Sequence, residues 1–295
     1  MRKRLYGGWL VSGFIILLFS FSFVVDAQIL SCSGQECPFP VNESFLLGGE
    51  GDRIRESALT PGQRIPYTGG GIRFVAERFR LRSADGLYST HTLLSGSLAF
   101  TSNPAGSASE IVATLFSVIA VHRRFHPDPA LTLLVGPALH VGLSNIFNTR
   151  SSNNPDVFRL SLALSPSFLS FYRFYFFNYP LFLRAQMEIP LIGATLAPPY
   201  GQSYYELYGL GNTRNLVVFT APHNRRSLLS ILSLDVPAGP VILRLAATCQ
   251  VEYYQIHARY SRHEQFAVLV GFVRESLFFG GRTWRSRRFG RSALY

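Results

Sequence analysis

Two short stretches space polar side chains so that they could act together: Arg184, Gln186 and Glu188, and then Arg244, Thr248, Gln250 and Glu252. Each set is interleaved with apolar residues, Leu183, Ala185 and Met187 in the first, and Leu243, Leu245, Ala247, Cys249 and Val251 in the second. Successive side chains of a β-strand point to opposite faces, so each stretch reads as a strand with one apolar face and one face of cations, amides and carboxylates. Such a face offers an ion-pair and hydrogen-bond network. Arg184 and Glu188 lie ~13 Å apart along an extended chain, so their partners must come from neighbouring strands.

Groupings that could make or break bonds are scarcer. Acyl transfer needs a nucleophile, a base and an orienting group. The best assembly is His223-Asn224 with Ser203 or Ser227, in and beside one long polar segment, and it matches no motif, so no catalytic residue is assigned. His122 and His126 lack Cys or carboxylate partners at ligand spacing, so no metal is expected. Gly69-Gly70-Gly71 leads into a strand and not into a helix N-terminus, so it is no phosphate loop; no cofactor is expected.

The elements that must position the polar faces begin behind a leader. Met1-Arg2-Lys3-Arg4, an apolar run from Leu10 to Val25, and Ala27 read as a signal peptide, 1–27, cut after Ala27. The run is shorter and more interrupted than a membrane helix requires. The expected organisation is a periplasmic N-terminal segment at 28–42, an outer-membrane β-barrel at 43–280, and a basic periplasmic tail at 281–295. Strands are expected at 43–49, 72–82, 87–101, 110–124, 131–145, 157–176, 179–191, 227–236, 241–254 and 264–279.

Their connections alternate in length. Those at 83–86, 125–129, 177–178 and 237–240 are short; those at 50–71, 102–109, 146–156, 193–226 and 257–263 are longer. Outer-membrane barrels have short periplasmic turns and longer outer loops, so both termini fall in the periplasm. The fold class is therefore all-β, an antiparallel transmembrane β-barrel of about 10 strands, with 12 as the alternative, behind a cleaved signal peptide. Charged residues at 15% and aromatics at 14% suit a lipid-facing wall better than a soluble sandwich. Phe171, Tyr172, Phe174, Tyr175, Phe176, Tyr179, Phe278 and Phe279 gather at the short-turn end as a periplasmic aromatic girdle. Arg184, Gln186, Glu188, Arg244, Thr248, Gln250 and Glu252 then face the lumen. Ten strands enclose too little space for a general porin, so the lumen is expected to be mostly plugged.

The chain is basic, with a formal net charge of +11, and its sole lysine is Lys3. Arginine binds phosphate bidentately, which suits outer-membrane lipid and lipopolysaccharide; composition bias would give the same count. The arginines are scattered along the chain outside the C-terminal tail, so nucleic acid is not an expected partner. Cys32 and Cys37 could form a disulfide after export, leaving Cys249 unpaired on an apolar face.

Asn178-Tyr179-Pro180-Leu181, Pro190-Leu191-Ile192-Gly193 and Pro199-Tyr200-Gly201-Gln202-Ser203-Tyr204-Tyr205-Glu206 resemble a family of Bacteroidota outer-membrane barrels known only as a domain of unknown function. Leu46-Leu47-Gly48-Gly49 and Leu59-Thr60-Pro61 are similar to its N-terminal segment, which is altered here, and the arginine-rich end after Phe279 is added. The resemblance implies a fold and a location and carries no catalytic residue. The expected function is a non-enzymatic outer-membrane barrel, a structural or partner subunit or a narrow channel, in contact with lipid and possibly with another envelope protein. The alternative is a lipid- or glycolipid-modifying hydrolase.

Overall fold

The computed structural model describes residues 39–59, 65–82, 86–150, 156–197, 210–211, 215–238, 241–257, 259–279 and 282–285. The proposed leader, Cys32, Cys37, Ser203 and the end of the basic tail lie outside them. The strands are β1 (Phe39–Glu56), β2 (Tyr67–Leu81), β3 (Tyr88–Ser102), β4 (Ser109–Asp128), β5 (Leu131–Asn148), β6 (Asp156–Phe176), β7 (Tyr179–Glu188), β8 (Ile192–Leu196), β9 (Val217–Thr220), β10 (Arg225–Ala238), β11 (Val241–Ile256), β12 (Arg259–Phe279) and β13 (Arg282–Arg285). Every pairing is antiparallel between sequence neighbours, except that β7 meets β10, β6 also carries β8, and β1 returns to β12. β1 through β7 and β10 through β12 thus close a ring of ten staves.

Several boundaries differ from the sequence expectation, each for a local reason. β1 starts at Phe39 and runs to Glu56, well beyond 49, because Glu50, Asp52, Ile54 and Glu56 continue the inward alternation. Charges on alternate positions hid the strand, since a polar lumen inverts the usual pattern. Gly69, Gly70 and Gly71 belong to β2 instead of preceding it. A Cβ on Gly69 would sit 2.0 Å from the Phe100 carbonyl oxygen, and one on Gly71 would sit 2.1 Å from that of Leu98, so glycine permits the close approach of β2 to β3 there.

β4 runs through Pro127, with a register shift between Phe125 and Asp128 in place of the expected break. The loop expected at 257–263 is mostly strand: β11 ends at Ile256, His257 takes φ 52°, and β12 already begins at Arg259. The expected outer loop 193–226 contains β8 and β9, which pair with each other and prolong two staves outward. At the other end, Phe177 and Asn178 take φ 48° and 63°, a two-residue turn of the kind that matches strand twist. The first residues after the barrel also form a strand: β13 folds back on Ser276–Phe279.

The outer wall shows an apolar band with charged edges. On β12 the outward residues run Glu264, Phe266, Val268, Val270, Phe272, Arg274, all four hydrophobics being exposed. Ten residues of strand are ~34 Å long, or ~26 Å along the axis of a barrel tilted near 40°, the height of a hydrocarbon band.

Candidate functional site

Inside the wall the polar side chains gather mainly in two layers, with an apolar layer between them on most staves; on β6 and β7 that level is polar, Glu188 standing in register with Leu229 and Ser167, and Gln186 with Ile231. The apolar layer is one cluster: Leu46, Val75, Leu93, Phe116, Val118, Ala120, Ala138, Leu229, Ile231, Ala246, Ala267 and Leu269. It draws on β1 to β5 and on β10 to β12, so it crosses most of the lumen. Thr248, on β11 two residues from Ala246, is buried beside it.

The layer nearer the short turns is built around Glu77 on β2. Arg184 reaches across the lumen from β7, donating from Nη1 to Glu77 Oε2 at 2.6 Å and from Nη2 to Oε1 at 2.8 Å. Arg244 on β11 donates from Nη1 to Glu77 Oε2 at 2.7 Å. Its Nε and Nη2 meet both oxygens of Asp235 on the adjacent β10, at 2.6 and 2.7 Å. Two guanidiniums and two carboxylates therefore neutralise one another through charge-assisted, partly bidentate bonds.

The amide of Gln186 extends the network, accepting from Arg184 and donating to Glu188 Oε1 at 2.7 Å. Ser167 donates to Glu188 at 3.4 Å and also contacts His122 Nε2 at 2.9 Å. Period two on one strand made Arg184, Gln186 and Glu188 recognisable together. The expectation that Arg184 would find its partner on a neighbouring strand fails, because the lumen is narrow enough for an arginine to span it. Glu77 and Asp235 were missed, since each is an isolated acid in its strand.

The layer nearer the loops holds more pairs. Arg73 Nε donates to Glu50 Oε2 at 2.7 Å and its Nη1 to Gln250 Oε1 at 3.1 Å. Arg159 pairs with Glu56. Asn148 Nδ2 donates to Glu110 Oε1 at 3.1 Å. Glu252, partly buried on β11, lies 3.7 Å from Arg225, and the guanidiniums of Arg159 and Arg225 each lie 5.2 Å from the Tyr254 ring centre. A cavity of about 20 Å³, room for about one water, sits among His140, Gly142, Ser161, Gln250, Glu252 and Tyr254.

His263 and Asp52 lie 2.6 Å apart, an orienting pair of the kind that serves a general base. Among the described residues no hydroxyl or thiol is hydrogen-bonded to His263. The described members of the grouping around His223 do not assemble: Asn224 is committed to its own turn, accepting from Ala221 N at 2.9 Å and donating to Phe219 O at 2.8 Å. Ser227 turns inward to Glu252 at 3.5 Å. Among the described residues no three His, Cys, Asp or Glu side chains form a metal-ligating group.

The aromatic cluster needs one correction. Phe171, expected in the girdle, is 3% exposed and packs inside with Phe79, Leu134 and Leu169, its ring 5.7 Å from the Arg184 guanidinium. A consecutive aromatic run cannot share one face of a strand. Tyr172, Phe174 and Phe176 have the outward parity; Tyr175 has the inward parity but stands exposed at the end of β6, and Phe177 at the tip is 90% exposed. Tyr179 is exposed on β7, and Phe278 and Phe279 lie in the last turn-end residues of β12.

Solved structures with this fold include the outer membrane protease OmpT from Escherichia coli, with a TM-score of 0.50 at 6% identity over 83% of this chain and 98% of that one. Weaker likenesses are the translocator domain of the autotransporter NalP from Neisseria meningitidis, with a TM-score of 0.34 at 9% identity over 91% and 99%, and the transport unit of the autotransporter AIDA-I from Escherichia coli, with a TM-score of 0.39 at 6% identity over 87% and 90%. At 6% identity the likeness to OmpT carries the fold alone: a closed, antiparallel barrel of the outer-membrane kind. No curated protein matches the chain. A family described as "Protein of unknown function (DUF3316)" matches residues 14–283.

Proposed function

The chain belongs to the DUF3316 family, whose function is unknown, and from that premise and its filled lumen we propose a non-conducting, non-enzymatic barrel of the outer membrane, acting as a structural or partner subunit of the envelope. The membrane is one of the Bacteroidota type, and the short-turn end with both termini faces the periplasm. The observation that carries the reading is the apolar layer between two charged layers, in which Leu46, Leu93, Phe116, Val118, Ile231 and Leu269 meet across the barrel. An ion or polar solute passing along the axis would have to shed its hydration among these side chains and break the hydrogen bonds of Ser167, Gln186 and Glu188 that fill the β6–β7 side of the same level, which costs far more than thermal energy. Work then falls to the outer wall, the loops and the turn end.

The test is insertion of the purified mature chain into planar lipid bilayers. It should insert, shown by heat-dependent gel mobility and protease protection, without stepwise conductance. Discrete channel openings would overturn the non-conducting reading.

A further inference from the structure

We propose that the outer wall of β10, β11, β12 and β1, next to the loop end, holds the phosphate group of a membrane glycolipid through Arg226, Arg262 and Arg55, with Tyr253 and Tyr260 beside them. The ligand's source rests on the outer-membrane reading above. Register sets these residues side by side: Arg226 opposite Tyr253, Tyr253 opposite Arg262, and Arg262 opposite Arg55. All have outward parity, and Arg226 and Arg262 are exposed. Four strands ~4.8 Å apart make a row ~14 Å wide.

Arg55 directly opposite Arg262 is a like-charge pair, which costs stability in an antiparallel ladder. Among the described residues one outward carboxylate is near: Glu264 contacts Arg262 and lies 3.9 Å from Arg53. Glu264 thus serves two of the four guanidiniums, Arg226 donates to the Pro222 carbonyl at 3.1 Å, and the positive charge of the row is not balanced by acids on the described strands. The other edge of the apolar band is arranged differently, with Glu43 in register between Arg274 and Arg78 and 3.6 Å from Arg78. Signs alternate across that trio and accumulate along the row at the loop end. A phosphate bridging Arg55 and Arg262 would remove the repulsion, and the guanidinium fork fits it bidentately.

The neighbours of the row name the source of that phosphate. Toward the barrel's middle, past Glu264 on β12 and Arg53 on β1, the outward residues turn apolar: Phe266 and Val268 on β12, Val251 on β11 and Leu228 on β10. The arginines therefore stand at the edge of the hydrocarbon band, at head-group level. Tyr253 and Tyr260 meet edge to face at 5.3 Å, and the Arg226 guanidinium lies 5.8 Å from the Tyr253 ring. Such rings give a sugar a flat surface to pack on while its phosphate meets the arginines, a match that free phosphate lacks.

The experiment is native mass spectrometry of the full mature chain in detergent, with lipid A as the probe. The double variant Arg55→Gln/Arg262→Gln should bind lipid A about tenfold or more weakly, while Arg274→Gln at the opposite edge binds as the parent does. Without lipid A the single variant Arg55→Gln, which keeps the Arg262 contact with Glu264, should be at least as heat-stable as the parent, because a repulsion has been removed. Unchanged lipid A affinity, or lost stability without lipid, would overturn the site and leave the membrane barrel standing. Displacement of lipid A by millimolar inorganic phosphate would overturn the glycolipid as its source. Failure of the parent chain to form a heat-modifiable barrel in detergent would overturn the membrane reading itself.

Discussion

Replacing Glu77 with Gln should cost the barrel about 3 to 5 kcal/mol, the loss typical when one partner of a buried ion pair is removed. Glu77 is the shared acceptor of Arg184 and Arg244, and all three side chains are at most 5% exposed. Gln preserves shape but offers one carbonyl oxygen where two carboxylate oxygens stood. Arg244 keeps Asp235, 2.6 Å from its Nε, whereas among the described residues Arg184 keeps no carboxylate partner, only the amide of Gln186 and the face of Phe171. The larger strain should therefore fall on β7. The measurement is urea unfolding of the folded barrel in detergent or bilayers, followed by gel mobility and tryptophan-independent circular dichroism. The exposed pair Arg53 with Glu264, 3.9 Å apart, is the control, and Arg53→Ala should cost no more than about 1 kcal/mol. Equal effects at the two sites would mean that water reaches Glu77 freely and that the lumen is not packed as described.

Val270→Arg should cost about 2 to 4 kcal/mol in a bilayer, because Val270 lies between the charged edges at Glu264 and Arg274 and is fully outward. The same substitution at Glu264 should cost far less. Stability alone would not separate lipid from a protein core, so the variant is paired with fluorophores walked from Glu264 to Arg274 and read with lipid-soluble and water-soluble quenchers. Lipid contact should recur at Phe266, Val268, Val270 and Phe272 and vanish at Gln265, Ala267, Leu269 and Gly271. Quenching without that alternation would remove the wall from the membrane. Leu183 on β7 should repeat the effect, with Arg184 beside it facing the opposite way.

The staves were readable where the wall follows a simple rule, apolar outside and polar inside, as on β7 and β11. They were unreadable where the rule is broken by a neighbour. The second half of β1 looks like a loop because Glu50, Asp52 and Glu56 point to partners 23, 211 and 103 residues away, Arg73, His263 and Arg159. No local window contains them. The two halves of the interior were equally hidden. Leu46, Val75 and Leu93 carry the inward parity and would be apolar side chains facing water if the lumen were wet. They are explained only by the apolar layer, which exists once all ten staves are in place. Phe171 was misplaced because composition was read without parity; counting by twos from Ser167 and Leu169 puts it inside.

The ring also has a seam. All eighteen residues of β1 pair with β12, from Phe39 against Phe278 to Glu56 against Ser261. Until nearly the whole chain has been made, the first strand has only β2 beside it and offers its other edge to any strand that passes, including one from a second copy. Closure joins positions more than two hundred residues apart, so its entropy must be met before the seam contributes anything, and folding should be slow and set by that final step. The hidden charges share this schedule: Asp52 finds His263 only when the seam shuts. An assembly intermediate would therefore carry bare acids along β1, a cue by which a helper could tell an open sheet from a finished ring.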